Sequence, residues 1–215
     1  MSSISVAGDT SGSITIAAPA VAGSGTLTLP VATDTLIGKA TTDTLTNKSI
    51  AATQLTGTIA AAAMPAGSVL QVKNFQTGAV ATGTAIIPVD NTIPQITEGT
   101  QFLSLAITPT SATSKLLFQI IMHASPSIAT NTVVALFQDS TANAIAGGFA
   151  YMLTATGETY INFNYFMTSG TTSATTFTVR AGLGNAGTLT VNGSGGTQFL
   201  GGVCMSSITI TEIAA

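Results

Sequence analysis

The chain has 215 residues and a mass of 21.4 kDa, with only 5 Lys or Arg and 8 Asp or Glu against 39 threonines. Ordinary soluble domains carry roughly 25% charged residues, whereas this one carries 6%. Phosphate neutralisation on nucleic acid needs clustered cations, and Lys39, Lys48, Lys73, Lys115 and Arg180 are scattered, so nucleic acid is excluded as a partner.

Mean hydropathy is +0.52, yet the longest small-apolar run, residues 59–65, is far short of the ~20 residues of a membrane helix. No membrane insertion is expected. The opening MSSISVAGDT lacks the basic flank and apolar run of a secretory signal, and the lone Cys204 can staple nothing within one chain. Assembly in a reducing cytoplasm is the expectation. Length allows one core plus a smaller segment. A monomer keeps itself soluble with a mixed charged surface; a chain without one is expected to bury part of its outside against copies of itself, as a symmetric homo-oligomer.

Residues 1–66 are rich in Ala, Thr, Gly and Ser, with short alternating pieces at 13–17 (SITIA) and 25–29 (GTLTL) that read as strands. Thr33-Asp34-Thr35-Leu36 recurs as Thr42-Asp43-Thr44-Leu45, too few copies for a repeat array. Leu36, Leu45, Ile50, Leu55 and Ile59 are too sparse to close a core, which makes this segment a candidate for intertwining or attachment. The junction is placed at AAAAMPAG, residues 60–67, where an alanine run meets Pro65 and Gly67; a short helix over 60–64 stopped by Pro65 is the alternative.

From residue 67 onward, β signals recur at short intervals: 68–75, 101–107, 115–123, 132–138, 146–153, 159–167, 176–181, 187–191 and 203–213, separated by Asn, Asp, Gly and Pro turns. With no convincing amphipathic helix, the pattern predicts an all-β, antiparallel sandwich or jelly-roll head over 67–215. In 115–123, Leu116, Phe118, Ile120 and Met122 alternate with Leu117, Gln119, Ile121 and His123, so both faces are apolar. In 159–167, Ile161, Phe163, Tyr165 and Met167 oppose Tyr160, Asn162, Asn164 and Phe166. A solvated antiparallel sheet should alternate cleanly, so a subunit interface is expected, with Phe163, Tyr165 and Met167 as its candidates.

Chemistry-bearing motifs are few. Gly182 to Gly187 matches G-x-G-x-x-G, but a pyrophosphate site needs a helix after the glycines, and TLTVNGSGG reads as strand and turn. No cofactor is expected. His123 is the only histidine and reads as a satisfied core or interface residue. The acids Asp9, Asp34, Asp43, Asp90, Glu98, Asp139, Glu158 and Glu212 never cluster in sequence, and turn and cap roles suffice for most of them. No catalytic residue and no metal ligand is assigned, and Cys204 reads as a small buried hydrophobe. Asn47-Lys48-Ser49 and Asn192-Gly193-Ser194 fit the glycosylation pattern by chance.

GTLTLPVATDTLIGKATTDTLTNKSI, residues 25–50, resembles a segment common in structural proteins of tailed bacteriophages, with TDTLTNKSI its most specific part. SKLLFQIIMHAS, TVVALFQDS and GGVCMSSITITEIA resemble the trimeric jelly-roll heads of phage fibres, similar in architecture to tumour-necrosis-factor-like heads. The resemblance implies a non-enzymatic virion surface protein assembled in the host cytoplasm. It would be a homotrimer whose N-terminal segment, through Leu36, Leu45, Ile50 and Leu55, holds the major capsid protein or another virion protein. The short stretch before the head favours a capsid-decorating, cement or head-fibre protein. The alternative is a short tail fibre whose loops at 125–130, 182–187 and 192–196 bind a host surface glycan or receptor.

Overall fold

The computed structural model describes residues 3–7, 10–17, 49–50, 56–57 and 59–215. The chain divides into two compact units, Met1–Thr56 and Gly57–Ala215. In the first, β1 (Ser3–Ala7) pairs antiparallel with β2 (Ser13–Ala17). Ile50 is exposed, while Leu36, Leu45 and Leu55 lie outside the described residues.

The second unit begins before the junction read at 60–67. Ala61–Ala63 forms a single 3-10 turn, and Ala61 and Met64 line a cavity of about 360 Å3 with Leu70, Thr110 and Ala214. Gly67 N–H then donates to Ala214 O, and Ala214 N–H donates to Ser68 O. The alanine turn thus borders the head through a shared cavity, and the bonds to Ala214 come from Gly67 and Ser68 just after it.

Twelve strands follow: β3 (Val69–Thr77), β4 (Ala81–Gly83), β5 (Thr100–Ile107), β6 (Lys115–Pro126), β7 (Asn131–Gln138), β8 (Ala146–Tyr151), β9 (Thr159–Thr168), β10 (Thr175–Leu183), β11 (Leu189–Val191), β12 (Gly193–Ser194), β13 (Thr197–Gln198) and β14 (Ser206–Ile213). The last begins later than the 203–213 expectation because Leu200, Gly201 and Gly202 take positive φ and turn the chain. β5-β10-β7-β8 form one antiparallel sheet. In the other, β6 pairs with β9 along one edge, and β14 and then β11 share its second edge, with β3 and β4 outside them. The two sheets, ordered β3-β14-β6-β9 and β5-β10-β7-β8, face each other, and the chain crosses between them repeatedly. This is an all-β jelly roll.

Side chains of one strand phase fill the space between the sheets. Leu116, Phe118, Ile120 and Met122 meet Leu103, Leu136, Phe177, Val179, Ile208 and Ile210, all buried. Phe118 and Phe177 pack edge to face with ring centroids 4.6 Å apart, a preferred aromatic arrangement.

The opposite phase of β7 is apolar as well, and the chain covers it itself. Ile87 and Ile96, on the segment between β4 and β5, close over Val133, Ala135 and Phe137 as a second cluster. Arg180 holds this cover, donating from Nε to Glu98 O and from a terminal nitrogen to Gly99 O, both at 2.8 Å. Gly182 allows the close approach, since a Cβ there would stand 2.5 Å from Ala85 O.

Glu212 is a carboxylate in the inward phase of β14, fully buried. It accepts from Thr110 N–H and hydroxyl, from Ser114 Oγ at 2.6 Å and from Gln71 Nε2 at 2.6 Å. Burial pushes its pKa up, but the hydrogen bonds outweigh it and hold the carboxyl below its usual value. The folded pKa is depressed, so the stabilisation is present above about pH 4.5 and is lost as pH falls through the folded value. Glu212→Leu is expected to cost about 1–3 kcal/mol by leaving buried donors unpaired, and to flatten acid unfolding below pH 4.5 in a denaturant titration series.

Candidate functional site

The outward face of the β3-β14-β6-β9 sheet has no cover among the described residues of this chain over most of its area. Its cross-strand rows read Gln76–Ser207–Ile121–Asn162, Asn74–Thr209–Gln119–Asn164, Val72–Thr211–Leu117–Phe166 and Val69–Ile213–Lys115–Thr168. Val72 and Phe166 are more than half exposed, at 56% and 55%, and Ile121 is at 42%. The one charge in these rows is Lys115, at their edge, whose Nζ donates to Thr168 Oγ1 at 2.7 Å. A contiguous apolar and amide surface depleted of charge is the composition of an interface centre.

Phe163, Tyr165 and Met167, expected at a subunit interface, are in the inward phase of β9 and pack half-buried against their own chain's core. The aromatic side chains of that strand left open are Tyr160 and Phe166. A second uncovered strip lies on the other sheet, where Phe149 and Tyr151 on β8 and Leu153 beyond it are 63%, 59% and 82% exposed. Phe149 borders a groove of about 300 Å3 with Pro88, Val89 and Asp90.

The three loops named as a receptor site meet at one end of the head. Ser127 N–H donates to Thr188 O, Thr130 Oγ1 to Asn185 Oδ1 at 3.0 Å, and Ser125 Oγ lies 2.8 Å from Ser194 Oγ. Asn192 is spent inside the fold: fully buried at φ 60, it donates to Thr77 O and Ala79 O and accepts from Ser206 Oγ. No helix follows Gly182 to Gly187, only β11, so these glycines serve packing and a turn.

His123 closes the outward face at this end. It is buried, at 3% exposure, with Tyr160 edge-on at 5.0 Å and Phe199 at 5.9 Å. Its Nδ1 has no hydrogen-bond partner, contrary to the satisfied histidine expected. Cys204 is buried as expected, its Sγ 3.2 Å from the Tyr160 hydroxyl, and this hydrogen bond is the main cause of a raised phenol pKa. Three acids take turn roles: Asp90 accepts from Thr92, Asp139 from Thr175 and Thr176, and Glu98 from Gln95 N–H. The core role of Glu212 was missed, although its phase with Ile208 and Ile210 in SSITITEI signals it. Among the described residues, no three His, Cys, Asp or Glu side chains stand together as a metal site, and no helix is long and apolar enough to cross a membrane.

No protein-family model and no curated protein matches the sequence. Among solved structures, the Eiger TNF of S. frugiperda is 9% identical over 66% of this chain and 93% of its own, with a TM-score of 0.39. The infectious bursal disease virus Gx strain structure is 13% identical over 68% of this chain and 38% of its own, at 0.31. The enzymatically active domain of bacteriophage CBA120 tailspike protein 4 is 16% identical over 58% and 19%, at 0.26. At these scores the likeness carries no functional inference, and the jelly-roll assignment rests on strand order and register.

Burial lowers the His123 pKa, with Glu158 pulling weakly the other way. The unfolded chain therefore takes up the proton first, and stability is full above about pH 6.5 and falls as pH drops below it. Thermal midpoints should decline from pH 7.5 to 5.0, and His123→Phe should remove most of that decline while leaving the step below pH 4.5.

Proposed function

We propose that the protein is a non-enzymatic virion structural protein of a tailed phage, a homotrimeric surface appendage that decorates or cements the capsid. The observation that carries this reading is the pair of nearly uncharged surfaces, uncovered among the described residues, on opposite sheets of one head, the Ile121–Phe166 face and the Phe149–Leu153 strip. Contact between two different patches of neighbouring copies is head-to-tail, and such a contact gives a ring, not a twofold pair, when its rotation closes. Three copies is the number the sequence resemblance implies. The N-terminal unit, with Leu36, Leu45, Ile50 and Leu55, is then the part that holds the major capsid protein or another virion protein. Turn and core roles for Asp90, Glu98, Asp139 and Glu212 fit a chain without catalytic acids. The place of action would be the virion surface, after assembly in the host cytoplasm.

Light scattering should return the mass of three chains. Tyr160→Asp with Phe166→Asp should yield monomers with unchanged β circular dichroism, and trimers surviving that pair would sink the interface. Deleting residues 2–56 should leave a trimeric head that no longer binds particles; retained binding would move attachment to the head.

The second reading, a short tail fibre binding a host surface glycan or receptor, is favoured by the convergence of the 125–130, 182–187 and 192–196 loops. Binding of isolated heads to host cells, or antibody label at the tail rather than over the capsid, would select it.

A further inference from the structure

Residues 199–205, between β13 and β14, lie over His123 and Tyr160 without joining either sheet. Among the described residues they are tied to the head by Phe199 N–H, which donates to Asn192 O at 3.2 Å, and by Cys204 Sγ, 3.2 Å from the Tyr160 hydroxyl. Gln198 at their root donates from Nε2 to Gly78 O at 3.0 Å. Leu200, Gly201 and Gly202 run through the left-handed region, at φ 48, 63 and 93. Glycine adopts it freely, whereas Leu200 is strained there, and its side chain is 77% exposed, so packing does not hold it.

The histidine beneath is fixed by its backbone. Its N–H donates to Ser206 Oγ at 3.0 Å, and its carbonyl accepts from Asn192 N–H at 3.3 Å. The imidazole is less well provided for, since Nδ1 is buried with no partner among the described residues. A neutral imidazole has one donor and one acceptor, whereas the cation has two donors. Protonation therefore sets a charge, and a second N–H, where a partner is already lacking. The titratable groups facing the ring are Tyr160 from β9, Glu158 just ahead of that strand and Cys204 from above, while β14 and the turn before β12 present Ser206 and Asn192, which do not titrate. Glu158 is exposed, so water screens its attraction, and burial opposes the charge more strongly than Glu158 favours it. Buried charge is relieved by moving whatever is least bonded. His123 and Tyr160 are register partners in the β6–β9 ladder; residues 199–205 have no ladder to break. We propose that this segment is a pH-sensitive lid: protonation of His123 lifts Phe199 and Cys204 off Tyr160 and admits water to the imidazole, while the sheet beneath stays paired. One head suffices for this, whether or not heads associate.

The chain has one cysteine, so thiol labelling reads the lid directly. The test takes the rate at which the full chain reacts with dithiodipyridine, divided by that of the urea-unfolded chain at the same pH, which cancels the thiol's own pH dependence. This ratio should rise about tenfold from pH 7.5 to 5.5, as one proton taken up below about pH 6.5 requires. It should be insensitive to low urea, because a local opening exposes little surface. His123→Phe should hold the ratio flat. Gln198→Ala, at an exposed position, should raise it several-fold at both pH values and keep the tenfold span, which tests the lid even if His123→Phe fails to fold. A flat ratio in the unmodified chain, or a span that survives in His123→Phe, overturns the proposal. So does a ratio that climbs with urea as steeply as global unfolding, or one that falls as protein concentration rises, which would assign the exposure to subunit dissociation.

Discussion

Strand β6 is the element on which the head depends. It is the longest of the described strands, Lys115–Pro126, and three others pair with it: β9 along one edge, β14 and β11 along the other. Its inward side chains Leu116, Phe118, Ile120 and Met122 are all buried, so a single strand supplies the register of one sheet and the floor of the core. Its other phase, Leu117, Gln119, Ile121 and His123, cannot be satisfied by the same sandwich. Burying the first phase necessarily presents the second.

The two sheets meet this surplus of apolar surface differently. Over β7, the chain folds the segment around Ile87 and Ile96 back onto Val133, Ala135 and Phe137, with Arg180 holding two of its carbonyls. Over β6, cover from the described residues reaches only the end, where Phe199 and Cys204 lie over His123 and Tyr160. Among the described residues the rest is open, with Val72, Ile121 and Phe166 exposed. One outer face, among the described residues, is thus partly covered from within, with the strip of Phe149, Tyr151 and Leu153 open beside the cover, and the other face is largely open.

The few strong polar groups act as fasteners. Glu212 gathers Thr110, Ser114 and Gln71, tying the start of β3 and the β5–β6 connection to the last strand. Asn192 gathers Thr77, Ala79 and Ser206 at the other end. In a low-dielectric interior such groups are costly unless fully bonded, so each fixes a connection that apolar packing alone would leave free to slide.

Period-two alternation in 101–107, 115–123, 159–167 and 203–213 pointed to the strands, because side chains on a pleated strand leave on opposite faces whatever the partner. The same alternation showed that β6 and β9 carry apolar groups on both faces, and the turn chemistry excluded a dinucleotide loop at Gly182. The phase of β9 that faces the core is the more apolar one, Ile161, Phe163, Tyr165 and Met167 against Tyr160, Asn162, Asn164 and Phe166, and pairing with β6 sets it beside Met122, Ile120, Phe118 and Leu116. Only tertiary structure placed Ala61 and Met64 beside Leu70 and Thr110 and joined Gly67 and Ser68 to Ala214, positions far apart in the chain. The cover over β7, the meeting of three loops at one end and the burial of Glu212 were settled the same way. Local sequence determines where side chains point; the long-range pairing of strands determines which of those directions is inside.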